Sequence, residues 1–381
     1  MLAWALERLK ASDRRIAKSL NVKLDRFHLW ETGESRPTFR QAQLLADALK
    51  IPFAFLFLKN PPIQRLPLPD RRVIALHDHP TPSPDLLDVA NAIKRKQDWY
   101  RDYRLSQSNT ALGFVASYKP SDNPAAVAAN MHETLGLPTD FYRDSKSWAD
   151  HLSTIVRAAE SHGILVFRSG VVGNNTHRTL DVSEFRGLAF SDPIAPAVFI
   201  NARDAKSAQV FTMIHETAHI WIGESAATDS AADSEVAERK GDIETFCDRV
   251  ATQFLVPEQQ FQTDWASVSG MENAVEVLAR QFRVSGTMIL RRAFELRLIT
   301  SQAFYRQLEG EKRRLLELRK KGTGGNFDAS FAARNGRLLV DSIFGSVLEG
   351  QTLYREAADI LEVKTGTLSR LMSEAALAKG A

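Results

Sequence analysis

Two histidines and a glutamate in one short segment have the spacing of a metal site. Residues 211–220 read Phe-Thr-Met-Ile-His-Glu-Thr-Ala-His-Ile, so His215 and His219 stand four positions apart and Glu216 follows the first. On a helix these histidines lie one above the other on the same face, and both imidazoles can reach one ion. Glu216 projects beside that ion, where it can act as a general base. The segment therefore predicts a catalytic zinc site.

A third metal ligand must come from another segment, because catalytic zinc keeps three protein ligands and an open position for water. The chain has one cysteine, Cys247, which excludes a multi-cysteine zinc cluster and is itself expected to be a small buried spacer. Glu244 borders the apolar stripe of a predicted helix, where a carboxylate is costly unless it is paired or bound to metal. Spacing alone leaves open a solvated Glu244, or one of three competing ligands: Asp233, Glu235 and Glu238.

The segments around the histidines predict an α+β domain. Three short stretches rich in β-forming residues precede the histidines, at residues 163–167, 187–190 and 197–200. A helix from about residue 205 to 223 follows, then an acidic loop and a second helix from about 235 to 255, which Pro257 ends. A small sheet followed by two helices is an α+β arrangement. Further helices are predicted earlier in the chain, at residues 83–100, 124–136 and 146–161.

The composition is that of a globular protein with more than one core. The chain has 381 residues, of which 44% are hydrophobic, so two or three domains are expected. No stretch reaches the ~20 apolar residues of a membrane helix, and the first residues lack a signal-peptide cleavage pattern. We therefore expect a cytoplasmic protein without a membrane partner.

Charge and proline content divide the chain into regions. Residues 1–72 hold 14 Lys/Arg against 7 Asp/Glu, whereas the whole chain carries only +3. This asymmetry indicates a polyanionic partner for the N-terminal part, with solvated charge on a small helical domain as the alternative. The predicted regions are a helical module at 1–59, a proline-rich linker at 60–82, a metal-binding domain at 83–262 (lead-in 83–161, catalytic core 162–262) and a helical C-terminal region at 263–381.

A weak internal repeat links three distant segments. An alanine, a valine and a third apolar residue recur with the same spacing: Ala17, Val22, Phe27; Ala279, Val284, Ile289; and Ala358, Val363, Leu368. Alanine inside one helix, valine at a turn and an apolar residue in the next helix is how a helix-turn-helix packs. The C-terminal region is therefore predicted to contain helix-turn-helix-like repeats, with chance spacing as the alternative for the second and third.

The segment from Gly163 to Pro257 resembles the ImmA/IrrE family of metallopeptidases. The pieces that carry the resemblance stand in the family's order: Phe185-Arg-Gly-Leu-Ala-Phe-Ser-Asp192, Ala195-Pro-Ala-Val-Phe-Ile-Asn201, the segment of the two histidines, and Phe254-Leu-Val-Pro257. Two departures are small, since Asp248 stands where the family often has Asn and Val256 where it often has Met. Residues 61–72 and the tail beyond Val284 also resemble longer, regulator-fused members.

The resemblance implies a zinc endopeptidase with a defined ligand set. Glu244, thirteen residues before Pro257, falls where the family places its third ligand, beside His215 and His219. A bound zinc ion would activate a water molecule, and Glu216 would take its proton and pass it to the leaving amine. The implied substrate is a partner protein, above all a helix-turn-helix repressor.

The N-terminal module resembles a Cro/C1-type helix-turn-helix. The resemblance rests on the run that starts at Ser12, on Trp30-Glu-Thr-Gly33 and on Arg36-Pro-Thr38. In that fold the second helix enters the major groove of duplex DNA, and the expected contacts are at its start: Lys23, Arg26 and His28. Leu24 and Asp25 are poor groove residues, so docking of a partner protein remains the alternative.

Two functions from different classes are therefore weighed. The first is a regulatory endopeptidase that cleaves a repressor, and the second is a DNA-binding regulator or antitoxin-like component whose peptidase fold acts without turnover. A complete His-Glu-His-Glu set favours the first. His177 and Tyr142 are candidates for stabilising an oxyanion, each with a structural role as the alternative, and Asp248 is a candidate to orient a ligand imidazole.

The substrate is expected to bind as an extended strand, because a peptidase must hold its substrate's backbone straight across the metal. Residues 197–201 are apolar, β-forming and directly precede the helix of the histidines. We assign the substrate-binding sheet edge to this strand, with a central buried strand as the alternative.

Overall fold

The computed structural model contains two compact units. The first consists of Met1–Pro67 and Val73–Asn91, and the second of Leu68–Arg72 and Ala92–Ala381. The structure describes residues 1–9, 11–62, 66–67, 82–224, 226–228, 241–318 and 327–379. Most of the predicted linker at 60–82 lies outside these residues. None of the described helices is both long and apolar enough to cross a membrane.

Short helices build the first unit. They are α1 (Leu2–Leu9), α2 (Asp13–Ser19), α3 (Leu24–Thr32) and α4 (Phe39–Ala48), followed by a 3-10 helix at Phe53–Phe57. Thr38 and Gln41 form a capping box that starts α4. Phe27 and Trp30 bury one face of α3 in the core of this unit, and the opposite face is exposed.

The second unit is an α+β assembly, as predicted. α5 (Pro84–Ser106) begins in the first unit and ends in the second, where α6 (Pro124–Thr134), a 3-10 helix at Phe141–Asp144 and α7 (Trp148–Ser161) follow it. Asn123 and Ser147 cap α6 and α7 with their side-chain oxygens. The helices predicted at 124–136 and 146–161 are confirmed to within two residues at each end.

Six described strands form a hairpin and one larger sheet. They are β1 (Leu165–Ser169), β2 (Val171–Val172), β3 (Asn175–Thr179), β4 (Gly187–Phe190), β5 (Ala197–Asn201) and β6 (Ala226–Thr228). Strands β2 and β3 pair with each other, and the other four form a sheet in the order β1-β5-β4-β6. β1 runs parallel to β5, and β4 runs antiparallel to both of its neighbours.

β5 lies in the middle of this sheet, so the prediction that it forms the edge is wrong. It pairs with β1 along its whole length and with β4 from Ala197 to Ile200. All five of its residues are buried. A strand that is apolar on both faces must be covered on both faces, which is typical of a central strand. Among the described strands, the edges of the sheet are β1 and β6.

The helices of the predicted ligands pack against each other and against the sheet. α8 (Lys206–Ile222) contacts β4, β5 and α7, and it also contacts α9 (Gly241–Leu255). Every residue of α8 from Thr212 to Ile222 is buried, so α8 is surrounded on all sides. It ends at Gly223, whose φ of 77° stops the helix. The part of the second predicted helix before Gly241 lies outside the described residues.

Eight helices complete the described part of the chain. They are α10 (Glu258–Ser267), α11 (Met271–Phe282), α12 (Gly286–Glu295), α13 (Ser301–Leu318), α14 (Phe327–Asn335), α15 (Arg337–Leu348), α16 (Tyr354–Ile360) and α17 (Thr365–Lys379). Leu278 and Phe282 on α11, with Ile289 on α12, belong to the same apolar core as α8 and α9.

The C-terminal helices are anchored at the β1 edge, where α14 and α15 contact the strand. Glu160 of α7 accepts hydrogen bonds from the backbone N–H groups of Arg337 and Leu338, at 2.7 and 3.3 Å, and so satisfies the start of α15. Gly336 has a φ of 70°, and a Cβ there would come within 2.7 Å of the Val166 carbonyl oxygen. Close approach of α15 to β1 therefore requires glycine at this position.

Three helix pairs share one turn: α2–α3, α11–α12 and α16–α17. A residue with positive φ precedes the valine of the sequence repeat in each turn: Asn21 (53°), Arg283 (58°) and Glu362 (56°). The valine N–H donates to the alanine carbonyl of the same repeat: Val22 to Ala17 at 3.0 Å, Val284 to Ala279 at 3.1 Å and Val363 to Ala358 at 2.9 Å. The third repeat residue of every pair is 0% exposed: Phe27, Ile289 and Leu368.

Candidate metal centre

α8 places the imidazoles of His215 and His219 one turn apart on the side that meets α9. Their Nε2 atoms are 3.2 Å apart. The side chains are 1% and 0% exposed, so packing fixes both rings. The structure therefore brings the two predicted histidine ligands to one point.

Glu244, on the first turn of α9, completes a set of three donor groups. Its Oε2 atom is 3.1 Å from His215 Nε2, and its Oε1 atom is 3.5 Å from His219 Nε2. Donor atoms bound at about 2.0–2.1 Å around a tetrahedral zinc ion lie roughly 3.3–3.4 Å from one another, close to these separations. The Glu244 side chain is 41% exposed, so the group opens to solvent on this side. The competing residues Asp233, Glu235 and Glu238 lie outside the described residues.

Asp248, one turn further along α9, sets the position of the proton on His215. Its Oδ1 atom is 2.9 Å from His215 Nδ1. Because a carboxylate only accepts, Nδ1 donates, and Nε2 of the neutral ring presents its lone pair to His219 and Glu244. Electron-rich atoms this close together need a cation between them. Two imidazoles and a carboxylate suit a divalent transition metal, so the residues present fit a bound metal ion.

The pKa shifts of His215 and Glu244 also arise from the close contact between the histidines and the carboxylates. Burial opposes charge on His215, but hydrogen bonds with Asp248 and Glu244 raise the pKa of His215 well above its usual value. Partial burial opposes charge on Glu244, while His219 and His215 lower the pKa of Glu244 well below its usual value. Both directions show that the group attracts positive charge, which a metal ion supplies in place of a proton.

Arg291, on α12, extends this chain of contacts. Its Nη1 atom is 3.3 Å from Asp248 Oδ2, while the other carboxylate oxygen meets His215. The guanidinium therefore holds the carboxylate that orients the ligand ring. Sequence reasoning missed Arg291, because it belongs to a segment interpreted only as a repeat, and no local spacing relates it to the ligands.

Glu216 is completely buried between α8 and β4. A Cβ at Gly187 would come within 2.3 Å of Glu216 Oε1 and within 2.7 Å of Thr212 Cγ2. Only a hydrogen atom fits there, so the first residue of β4 must be glycine to leave room for the carboxylate. Sequence reasoning did not single out Gly187, although a glycine in a strand often marks such a close approach.

The other residues considered at this site do not join the ligands. Cys247 is 0% exposed, and burial raises the pKa of its thiol well above the usual value, which agrees with a neutral spacer. His177 is exposed on β3, and Tyr142 packs on Phe282 with ring centroids 4.6 Å apart. In the described part of the chain, no contact links His177 or Tyr142 to the metal ligands.

The predicted DNA contacts are all exposed: Lys23 is the N-cap of α3, and Arg26 and His28 lie on α3 itself. His28 Nδ1 is 3.4 Å from Glu31 Oε2 and 3.9 Å from Asp13 Oδ2. His28 thus faces two carboxylates, whereas Lys23 and Arg26 present cations to solvent. Donor distances alone would let Asp13, His28 and Glu31 hold a metal ion, but all three are partly exposed.

Comparison with known families agrees with this site. Residues 159–294 match the Peptidase_M78 family model, described as the IrrE N-terminal-like domain. These residues are thus similar to an IrrE N-terminal-like domain, and the matched segment includes His215, Glu216, His219, Glu244 and Arg291. Residues 335–374 match a domain of unknown function, DUF8813. No match to the chain was found among curated proteins.

Proposed function

We propose that this protein is a zinc-dependent endopeptidase. The observation that carries the proposal is the convergence of His215, His219 and Glu244 with a buried Glu216 on the same turn of α8. The match to a peptidase family over these residues supports it. Two imidazoles, one carboxylate and an opening to solvent are the donor set of a catalytic rather than a structural zinc site.

A zinc ion in this group would supply Lewis-acid activation of a water molecule and of a peptide carbonyl. Glu216 is the proton acceptor in this proposal: it follows His215 on α8, and its carboxylate packs against Gly187. It accepts the proton of the attacking water and then donates it to the leaving amine, so that it ends each cycle ionised. Asp248 keeps Nε2 of His215 free for the metal throughout, because it holds the proton on Nδ1.

The substrate in this proposal is a partner protein, a helix-turn-helix repressor, that is cut in the cytoplasm. Its support is the resemblance of the chain to regulator-fused ImmA/IrrE members. A peptidase that also carries helix pairs of the repressor type is suited to regulate transcription by removing such a protein.

Metal content and cleavage in cells test the proposal together. Purified protein should contain one zinc ion per chain, and Glu216→Gln should retain it. Sequencing of protein N-termini in cells should reveal new ends with the wild type that are missing with Glu216→Gln. Absence of zinc from the wild type, or identical N-termini in both strains, would overturn the peptidase proposal.

A second candidate function is DNA binding by residues 1–59 without turnover. The excess of cations in the N-terminal region and the exposed Lys23 and Arg26 favour it. Binding of a duplex should then weaken steeply with salt, because phosphate contacts release counterions. Salt-independent binding would instead favour docking of a protein.

A further inference from the structure

The three helix pairs with the shared turn present their second helices differently. α12 packs into the same apolar core as α8 and α9: Met288 and Leu290 are buried at the repeat positions where α3 exposes Arg26 and His28. α12 has instead become part of the metal centre through Arg291. The middle pair therefore cannot enter a DNA groove in this fold.

α3 is exposed, but several of its exposed residues are unsuited to contact with DNA bases or phosphates. Leu24 and Leu29 are 38% and 40% exposed, and Asp25 and Glu31 add carboxylates to the same helix. Leucine offers a base edge only apolar contact, and carboxylates repel the phosphate backbone.

α17 is exposed at the corresponding positions and carries suitable groups. Lys364, Thr365, Gly366, Ser369, Arg370 and Ser373 are all exposed. Residues 364–373 contain no Asp or Glu, and small residues at the start of the helix allow close approach to base edges. Arg370 occupies the repeat position that Arg291 has in α12 and Leu29 has in α3. Arginine is the side chain that most often reads guanine in the major groove.

A complete three-helix body supports α17. α15 contacts α16, and α16 contacts α17. The buried apolar residues of these three helices include Leu339, Ile343, Ala357, Ala358, Leu361, Leu368, Leu371 and Met372. α17 thus packs on α16, which in turn packs on α15, and it keeps one polar face in solvent, as the second helix of a helix-turn-helix does.

Contacts of the turn fix this body with its polar face outward. Glu362 at the turn is 3.3 Å from the buried Lys96 Nζ and 3.7 Å from Arg95 Nη2, both on α5. These cations neutralise the carboxylate nearest to the start of α17. The turn therefore faces α5, whereas Lys364, Thr365, Gly366, Ser369 and Arg370 are exposed to solvent.

We propose that residues 337–379 form a DNA-binding domain in which α17 reads the major groove of duplex DNA. Residues 337–379 hold five cations, Arg337, Arg355, Lys364, Arg370 and Lys379, against six carboxylates, and Arg370 pairs with Glu374. Phosphate attraction is therefore weak, and most of the specificity must come from base contacts. The logarithm of the DNA-binding constant should fall with the logarithm of the salt concentration with a shallow slope of about −2 to −3, as expected for contacts with two or three phosphates.

The experiment uses the full zinc-loaded chain and a pool of 40-base-pair duplexes with 20 random positions. Repeated selection at low salt should enrich one sequence family. Arg370→Ala should weaken binding of the enriched duplex roughly 10- to 100-fold, as expected for loss of one bidentate base contact. Lys364→Ala should weaken it less, and it serves as a second variant should Arg370→Ala fail to fold.

Arg280→Ala is the matched control. Arg280 pairs with Glu276 at i,i+4 on the surface of α11, as Arg370 pairs with Glu374 on α17, so both variants remove the same kind of exposed ion pair. The control should bind DNA as the wild type does. Failure to enrich any sequence, or enrichment lost with Arg26→Ala on α3 but kept with Arg370→Ala and Lys364→Ala, would overturn the proposal.

Discussion

Among the residues that the structure describes, two groups of three donors could hold a metal ion, and the two groups share donor spacing but differ in burial and in surrounding contacts. His215, His219 and Glu244 combine two fully buried rings with one half-exposed carboxylate. In the group on α2 and α3, the side chains of His28, Asp13 and Glu31 are 46%, 37% and 27% exposed. Donor distance therefore does not separate a metal centre from a surface cluster.

The two groups differ in whether other side chains hold the donor groups in a fixed orientation. Asp248 fixes the tautomer of His215, and Arg291 holds Asp248 in place. His28 faces its two carboxylates directly, and solvent can replace any of these contacts. A metal site needs donors whose orientation is already determined by packing, because an ion gains little from groups that it must first order.

The largest expected difference between the groups is in zinc content. Glu244→Ala should reduce bound zinc from one ion per chain to almost none, because only two imidazoles remain of the three protein ligands that a catalytic zinc site needs. His28→Ala, the matched change in the exposed group, should leave zinc content unchanged. Metal analysis after dialysis decides the comparison, and a Glu244→Ala protein with stoichiometric zinc would remove Glu244 from the ligand set.

Gly187→Ala should separate catalysis from metal binding. The added methyl group collides with the Glu216 carboxylate, so the rate should fall by about 10²–10⁴-fold, the usual contribution of a general base. Zinc content should stay at one ion per chain, because no metal ligand contacts the new methyl group. Gly173→Ala, on a turn with open space around it but also a positive φ, controls for glycine loss in general. Full activity of Gly187→Ala would contradict the position of Glu216.

Arg291→Ala should weaken zinc binding by roughly 10-fold, at the low end for loss of a partner behind a ligand. Arg291→Lys should recover part of the affinity, since the charge next to Asp248 returns. Arg280→Ala, also an arginine on the α11–α12 pair, should have no effect. Competition with a chelator measures all three, and equal zinc affinity for Arg291→Ala and the wild type would show that Asp248 needs no support.

The smallest expected effect is a loss of folding stability at low pH, caused by the buried imidazole of His151. His151 is 0% exposed and stacks on Phe141, and burial, together with Arg283, lowers its pKa to about 4. The folded state thus favours the neutral ring, so stability is complete above the unfolded value of 6.5 and is lost as pH falls from there toward 4. At about pH 5.5 the loss should be roughly 1 kcal/mol.

His151→Gln keeps a partner for Ser145 and removes this titration. Its free energy of unfolding should therefore fall less between about pH 7.5 and 5.5 than that of the wild type, by roughly 1 kcal/mol. His177→Gln, on an exposed strand, should keep the wild-type pH dependence. If the free energy of unfolding changed with pH in the same way for His151→Gln and the wild type, His151 would not be the group responsible for the loss of stability at low pH.

The sequence predicted those parts of the site that depend on local spacing. His215, Glu216 and His219 belong to one helix, whose periodicity alone sets their directions, and the resemblance to a family supplied Glu244. The helices on both sides followed from caps and apolar spacing. The α+β class followed from the order of strand and helix patterns.

Features that depend on neighbours were not predictable in the same way. The apolar residues of β5 favour a buried strand, but its central position is established only by its pairing with β1 and β4. Arg291 reaches Asp248 only because α11 and α12 pack into the peptidase core. The repeated turn was visible in three valines, but the sequence spacing did not show which of the three second helices would be buried.

The close contact between Gly187 and Glu216 makes the position of the Glu216 carboxylate depend on the register of β4. Successive residues of a strand point to opposite faces, so a slip of β4 by one position would turn Leu188 toward α8. A leucine cannot occupy a space in which even a methyl group meets the carboxylate at 2.3 Å. A chain with a misaligned sheet could still fold helices and bind metal, but it could not place its general base. Under the proposed mechanism, only a sheet in this register would therefore place Glu216 for catalysis.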